Sequence, residues 1–508
     1  MKKIIMLALG AGLFLGSCSK DFLDVSSTRY LSKSDMDKIS DYSTHLKDAT
    51  LYGLYAYNIK AFAGGTTGHD DFGQKGFDIY TDMLSGDMNL NSNIYGWYSN
   101  IANFSEMENY ASNPNYKPWR FYYFMIRSTN QIIGSLAGED GTKIPESNKD
   151  KVVLAEAKAI RAYMYYNLVN MYTLGYDANQ KVLPIYKTAT LINQPSKPTK
   201  EVYEFMVNDL KESMELFESA NATETRIDRI TVDYMVTKGI LAYVYASQGD
   251  AASLVESARL SKELIDSGNY PLATKEGLLK GFNKTSENPN WLWGGRITTQ
   301  TDLDLVSWWG QVDVFTYSYA GVGDTKGMSK ELYESIKDED VRKKQFVFDK
   351  VTDNNGETES FGDNAYIPAG KFYAATGKFH LKQRIIESDY VFMRIEEMYL
   401  LNAEVNARLG NDADAKQVLK DMLDIRLGDT SFVDGLSGDK LVDEILHQTS
   451  IELWGEGKIY AAVKRNKKSF TYGSNHLSHP KQTFNYDDPR LTFKVPQSEL
   501  LNNPVYND

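Results

Sequence analysis

The strongest periodic signal in the chain lies between Val391 and Gly428. Met398, Leu401, Val405 and Leu409 recur at three- and four-residue spacing, as do Ile395, Tyr399, Ala403 and Ala407, which predicts a helix with a wide apolar face. Gly410 sits where that helix must stop, because glycine alone takes the left-handed C′ conformation without steric cost. Asp412 is placed to cap a second helix, with Ala415, Val418, Leu419, Met422 and Leu423 on its apolar face. One such hairpin cannot bury both apolar faces and needs neighbours of its own kind. Thr231 to Gly268 supplies one. There Ile240, Ala242, Ala246, Gly249 and Ala252 match Leu401, Ala403, Ala407, Gly410 and Ala413 at one constant offset.

The remaining pattern extends this frame. Asp35 to Lys60 is helical with one break (Met36, Ile39, Leu46, Leu51, Leu54, Tyr55), and Lys117 to Leu136 carries Trp119, Tyr122, Tyr123, Ile126, Ile132 and Ile133 on one side. Val152 to Leu174 has a stripe of small residues (Ala155, Ala159, Ala162) that lets another helix approach closely. Lys200 to Glu218 is its partner, begun by Pro198 and Thr199. Leu441 to Ala462 is again helical. Two stretches break the pattern. Ala61 to Asn100 holds Gly64, Gly65, Gly68, Gly73 and Gly76 among polar and aromatic residues, which suits loops. Asn269 to Asp389 suits short strands and long loops, with one helix near Lys330 to Ile336. The predicted fold is mainly α: about four tetratricopeptide-like helix pairs with a large irregular segment inserted between repeats.

At the amino end, Lys2 and Lys3 precede an apolar run from Ile4 to Leu15, then Gly16-Ser17-Cys18. The run is too short for a mature spanning helix and has the layout of a leader, with small residues just before a cysteine, as in a bacterial lipobox. Cleavage would leave Cys18 as a lipidated N-terminus, and several acyl chains on one residue anchor stably where one does not. The predicted organisation is a signal peptide at 1–17, a tether at 18–34 and a single domain at 35–508. Within that domain the frame is 35–268 and 389–465, the irregular segment 269–388 and the C-terminal extension 466–508. Cys18 is the only cysteine, so neither an intrachain disulfide nor a cysteine metal site can form. The net charge of −12, with no basic stripe, argues against nucleic acid as a partner.

Five segments, in order behind the lipobox, resemble the SusD/RagB family of Bacteroidetes outer-membrane lipoproteins. They are Arg161-Ala162-Tyr163 with Tyr172 and Leu183-Pro184; Thr237 to Gly249-Asp250 with Ile265 to Gly268; Arg394-Ile395 to Ala403-Glu404; Ile451 to Lys458; and Val495 to Glu499. Gln448-Thr449 depart from the family's frequent Glu-Arg, and the spacing from Gly175 to Pro184 is longer. The resemblance implies a non-enzymatic protein on the cell surface that captures a glycan, or sometimes another nutrient, for a SusC-like TonB-dependent barrel. It implies membrane attachment through the lipid alone. These are scaffold motifs, and they leave the ligand open.

A sugar ring presents apolar CH faces and a polar rim, so its binding surface needs exposed aromatic faces beside hydrogen-bonding side chains. Two irregular regions qualify. In the first, Tyr95, Trp97 and Tyr98 alternate with Asn91 and Asn93. In the second, Trp308, Trp309 and Gln311 are followed by Tyr317 and Tyr319. In an extended segment Trp308 and Trp309 point to opposite faces, so at most one is exposed. Trp291 and Trp293 suit a buried strand face, and Trp119 and Trp454 suit the helical core.

Signals for catalysis or cofactors are weak. His476 and His479 lack an acidic third metal ligand at helical spacing, and His69-Asp70-Asp71 suits a solvated loop better than a cation site. Asp302 and Asp304 would form a glycosidase pair only at the right separation in space. Gly321, Gly323 and Gly327 lack a phosphate loop's spacing. No cofactor is predicted, and structural calcium has no spaced ligand loop in its favour. A lipid-anchored helical glycosidase, a binder of a non-carbohydrate nutrient and a pure docking scaffold are the alternatives.

Overall fold

A helix at Thr44–Asn58 (α1) is the first element of the computed structural model, which describes residues 44–508 apart from 282, 302, 304, 363, 373–379 and 387. Cys18, the leader and the tether lie outside these residues. So do the start of the first helical pattern, Asp302 and Asp304. From Ala49 to Asp508 the chain forms a single unit.

The frame of this unit is a stack of antiparallel helices: α2 Gln74–Leu84, α3 Asn113–Ala137, α4 Asn148–Tyr172, α5 Thr199–Ser219, α6 Tyr234–Gln248, α7 Ala251–Asp266, α8 Ile395–Arg408, α9 Asp412–Arg426, α10 Asp439–Glu452 and α11 Ile459–Arg465. From α3 to α9 each packs on the next. The small-residue stripe works as the pattern predicts. Ala155, Ala159 and Ala162 are fully buried, and α5 comes close enough for the Ser213 hydroxyl to donate to the Ala155 carbonyl at 2.7 Å. The same joint recurs one repeat later, where Ser257 of α7 donates to the Ala242 carbonyl of α6 at 2.8 Å. Gly249 and Gly410 end α6 and α8 at φ of 76° and 79°, the conformation in which a Cβ would be strained.

Residues between α7 and α8 form the long insertion, yet those two helices still pack together, so the insertion leaves the stack unbroken. Its ends are joined to the frame by an antiparallel pair. The strand Trp291–Gly295 (β2) lies beside Tyr390–Arg394 (β4), with Trp291 and Trp293 buried. A buried ion network adds to this. Arg394 reaches Glu452 and Glu456 at 2.8 Å each and Glu396 at 3.1 Å; Arg426 reaches Glu452 at 2.9 Å, Arg342 of the insertion meets Glu452 at 3.2 Å, and Lys371 meets Glu456 at 3.0 Å. Burial alone would raise the Glu452 carboxyl, but Arg426, Arg394 and Arg342 hold it well below the usual range.

Several sequence expectations change. Asn411, not Asp412, occupies the N-cap of α9, and Asp412 lies in the first turn. Tyr390–Arg394 is strand, and the helix begins at Ile395, the first position of the periodic pattern. The helix expected from Leu441 to Ala462 is cut into α10 and α11 by a turn in which Gly455 and Gly457 have φ of 78° and 75°. In the stretch expected to be loops, α2 is buried all round. Its polar residues go inside because they find partners: Gln74 donates to Asp78 at 2.8 Å, Lys75 pairs with Asp78 at 2.9 Å, and Tyr122 donates to Gln74 at 2.9 Å. Phe77, Tyr80 and Leu84 do mark an apolar stripe on α2, but Gly73 and Gly76 beside them read as loop.

Candidate functional site

The two aromatic regions picked out in the sequence meet in space, because the short strands Met88–Leu90 (β1) and Lys326–Met328 (β3) pair antiparallel, Met88 opposite Met328. The chain leaving β1 and the chain entering β3 therefore run side by side, bringing residues 91–98 against 319–325. Asp324 fastens the two. It is fully buried, and one of its carboxylate oxygens accepts the amides of Ile94 and Tyr95 at 2.8 Å each while the other accepts the amide of Trp97 at 2.9 Å. Ser92 donates to the Gly323 carbonyl at 2.7 Å. Underneath, Tyr98 takes φ of 67° and is buried edge-on to Tyr80, with the Lys326 ammonium 4.9 Å from its ring centre. Lys326 donates to the backbone and side-chain carbonyls of Gln311 at 2.9 and 3.2 Å and to the Asp324 carbonyl at 3.1 Å. Burial pulls this ammonium down to about 7, against the upward pull of Asp324 and Asp70.

Above this base lies a run of rings. His69 stacks on Trp97 with centroids 5.1 Å apart and planes 7° from parallel. Tyr319 stands edge-on to Trp97 at 5.6 Å and to Tyr95 at 5.5 Å, and its hydroxyl is hydrogen-bonded to His69 Nδ1. Phe62 continues the run, 6.2 Å from His69. Tyr95 is 58 % exposed and Phe62 44 %, Trp97, His69 and Tyr319 are half-buried, and Asn93 is exposed at the rim. Five aromatic faces and edges thus lie open on three segments that a helical frame carries, the usual division between scaffold and binding surface.

The carboxylates nearest the platform face inward. Asp70 pairs with Lys117 at 2.5 Å and accepts the Tyr80 hydroxyl at 2.5 Å, and Asp71 accepts the amides of Gly64 at 2.5 Å and Thr66 at 2.9 Å. They shape the loop that carries Phe62 and His69 and form no cation site with His69.

The sequence candidates divide accordingly. Tyr95, Trp97 and Asn93 lie on the platform, and Tyr317 is exposed beside it. Trp308 and Trp309 do not reach it: both belong to a short helix, Trp308–Val312, not to an extended segment, and are 2 % and 1 % exposed. Trp308 packs edge-on to Phe372, and Trp309 donates its indole N–H to the Ser388 carbonyl at 2.8 Å. Gln311 is buried as a strut, donating to the His69 carbonyl at 3.0 Å. Tyr98 is an anchor below the rings. Asn91 turns its side chain inward, donating to the Ala365 carbonyl at 2.5 Å. Sequence reasoning missed Phe62 and His69 as platform members and noted Tyr319 only as a neighbour of Tyr317. Among the described residues no group of three or more His, Cys, Asp and Glu could hold a metal ion. His476 and His479 pack against Tyr472 and Phe104 at 4.3 and 4.5 Å, and burial drops the His476 imidazole to about 4.

Comparison with known proteins places this arrangement in a family. The profile of the SusD family matches residues 295–504, and a second profile, described as starch-binding associating with outer membrane, matches residues 21–238. A SusD-like protein P2 from Formosa agariphila is 23% identical over 418 residues, 76% of this chain and 78% of that protein. A SusD-like carbohydrate binding protein from Bacteroides vulgatus superimposes with a TM-score of 0.74 at 23% identity, over 91% of this chain and 97% of its own. A SusD superfamily protein from Bacteroides thetaiotaomicron gives 0.74 at 20% identity, over 91% and 99%. B. fragilis NanU gives 0.62 at 17% identity, over 92% and 97%. With the two profiles accounting for both the stacked helices and the segment that closes the platform, the chain belongs to the SusD/RagB family.

Proposed function

We propose that this chain is a glycan-binding lipoprotein of the outer membrane that holds oligo- or polysaccharide on the Phe62–His69–Trp97–Tyr95–Tyr319 surface and passes it to a TonB-dependent, SusC-like barrel. The observation that carries the reading is the platform: an open run of rings on segments that Asp324, Gln311 and Lys326 fasten from below. An open aromatic surface suits the CH faces of sugars. The inward-facing, partnered Asp70, Asp71 and Asp324 favour capture over hydrolysis. Support also comes from the likeness to the SusD-like carbohydrate binding protein of Bacteroides vulgatus, and the lipobox ending at Cys18 supports the anchor. Among the described residues no helix is long and apolar enough to cross a membrane.

The test is a broad glycan panel titrated against the purified chain lacking its lipid. Truncating a central tryptophan contact costs about 2 kcal/mol, so Trp97→Ala should weaken the best binder roughly thirtyfold. No binding to any member of the panel would refute glycan capture. Extraction of the native lipoprotein in mild detergent should recover a large β-barrel, and its consistent absence would refute the transporter role. Cys18→Ala should move the protein out of the membrane fraction.

A further inference from the structure

The platform extends past Tyr319 to a charged end. Ser318 is buried and extended, with φ of −160° and ψ of −165°, so Tyr317 and Tyr319 leave the chain on the same outward side. Two residues of extended chain span about 6.6 Å, a separation on the scale of neighbouring sugar units. Tyr317 is 39 % exposed, and the guanidinium of Arg384 lies over its ring, 4.1 Å from the centroid. Backbone pairing fixes the two: the Tyr317 amide donates to the Gln383 carbonyl at 2.8 Å, and the Gln383 amide to the Phe315 carbonyl at 3.0 Å. Arg384 is exposed, and no described carboxylate pairs with it. Its neighbour Lys382, by contrast, lies 3.6 Å from Glu359.

An arginine held flat on an aromatic ring has already given up much of its rotamer freedom. It is weakly hydrated and keeps its N–H edge available for a planar anion in bidentate geometry. A neutral sugar makes little use of such a fork. Because the chain's net charge is −12, its overall field repels anions, so an anionic ligand must be recognised by a local cation of this kind. We infer that the platform takes a uronate-bearing glycan, with a sugar ring against Tyr319 and Tyr317 and a carboxylate on Arg384. This rests on the glycan reading of the platform.

The experiment uses uronate polysaccharides (pectic, alginate and glucuronan types), each beside its carboxyl-reduced neutral form. They are titrated against the wild-type chain, Arg384→Ala, Arg384→Lys and Trp97→Ala. The wild type should bind a carboxylated member about tenfold more tightly than its reduced form. Arg384→Ala should abolish that preference, and Arg384→Lys should keep part of it. Arg384 is exposed, so unchanged melting temperatures should accompany these shifts. Neutral glycans that bind as tightly as their carboxylated forms, and are lost in Trp97→Ala, overturn the anion assignment alone. Binding to neither set overturns the platform reading and this inference with it.

Discussion

Asp324 is the joint on which the platform depends, and replacing it with asparagine isolates that role. Asparagine has the same shape. Its oxygen can still accept the amides of Ile94 and Tyr95, but its NH2 then faces the amide of Trp97, donor against donor. One hydrogen bond to a charged acceptor is lost, worth about 1.5–3 kcal/mol, and the other two fall to roughly half strength without the charge. Taking the loss of the one bond as the main term, the net cost to loop order is about 2–3 kcal/mol. If binding must restore that order, affinity drops roughly 30- to 150-fold. Spread over the unfolding entropy of so long a chain, the same cost moves the melting temperature by only about 2–3 °C. Acrylamide quenching separates the two effects. Of the seven tryptophans the six other than Trp97 are at most 4 % exposed, so quenching by a surface quencher reports Trp97. Asp324→Asn should quench more readily than the wild type and bind glycan weakly. Unchanged quenching together with unchanged affinity would refute the positioning role.

Two further predictions concern stability and pH. Burial would raise the Glu456 carboxyl, but Arg394 and Lys371 take it down to about 2. Its contribution is therefore present above the unfolded value near 4.5 and lost as pH falls toward 2. Glu456→Gln should cost about 3–5 kcal/mol at neutral pH and flatten that acid limb in denaturant titrations; an equally steep limb would contradict the assignment. Burial pushes Asp313 the other way, up to about 7, against the Thr316 hydroxyl and amide that donate to it at 2.7 and 2.8 Å. Its native proton stabilises the fold below the unfolded value, and that stability is lost as pH rises through 7. Asp313→Asn keeps the acceptor and should be more stable than the wild type at pH 8 by about 2–4 kcal/mol. A variant no more stable there would show that the carboxyl is not held protonated.

The repeats were legible in the sequence because their joints use small residues and glycine stops at fixed spacing. Ala242 with Ala403 and Gly249 with Gly410 carry the signal directly, and the family resemblance rests on the same scaffold. The buried α2 was not legible, because burial there depends on polar partners from distant segments, Tyr122 among them. The site was half legible. Alternating aromatic and amide residues marked the Tyr95–Trp97 loop, but nothing local distinguishes an exposed tryptophan from Trp308 or Trp309, which Phe372 and the Ser388 carbonyl hold inside. Phe62 and His69 join the platform through Asp71 and Gln311, and such cross-chain struts leave no periodic trace. The pairing of β1 with β3, which creates the surface, links residues more than two hundred positions apart.

Ligand binding on the Trp97–Tyr319 surface is tested most directly by titrating one bound glycan into the wild type, Trp97→Ala, Tyr319→Ala and Trp308→Phe under identical conditions. Both platform truncations should lose at least tenfold in affinity, while Trp308→Phe, altered only in the core, should bind as the wild type does. Full affinity in Trp97→Ala and Tyr319→Ala would contradict a ligand seated on these rings.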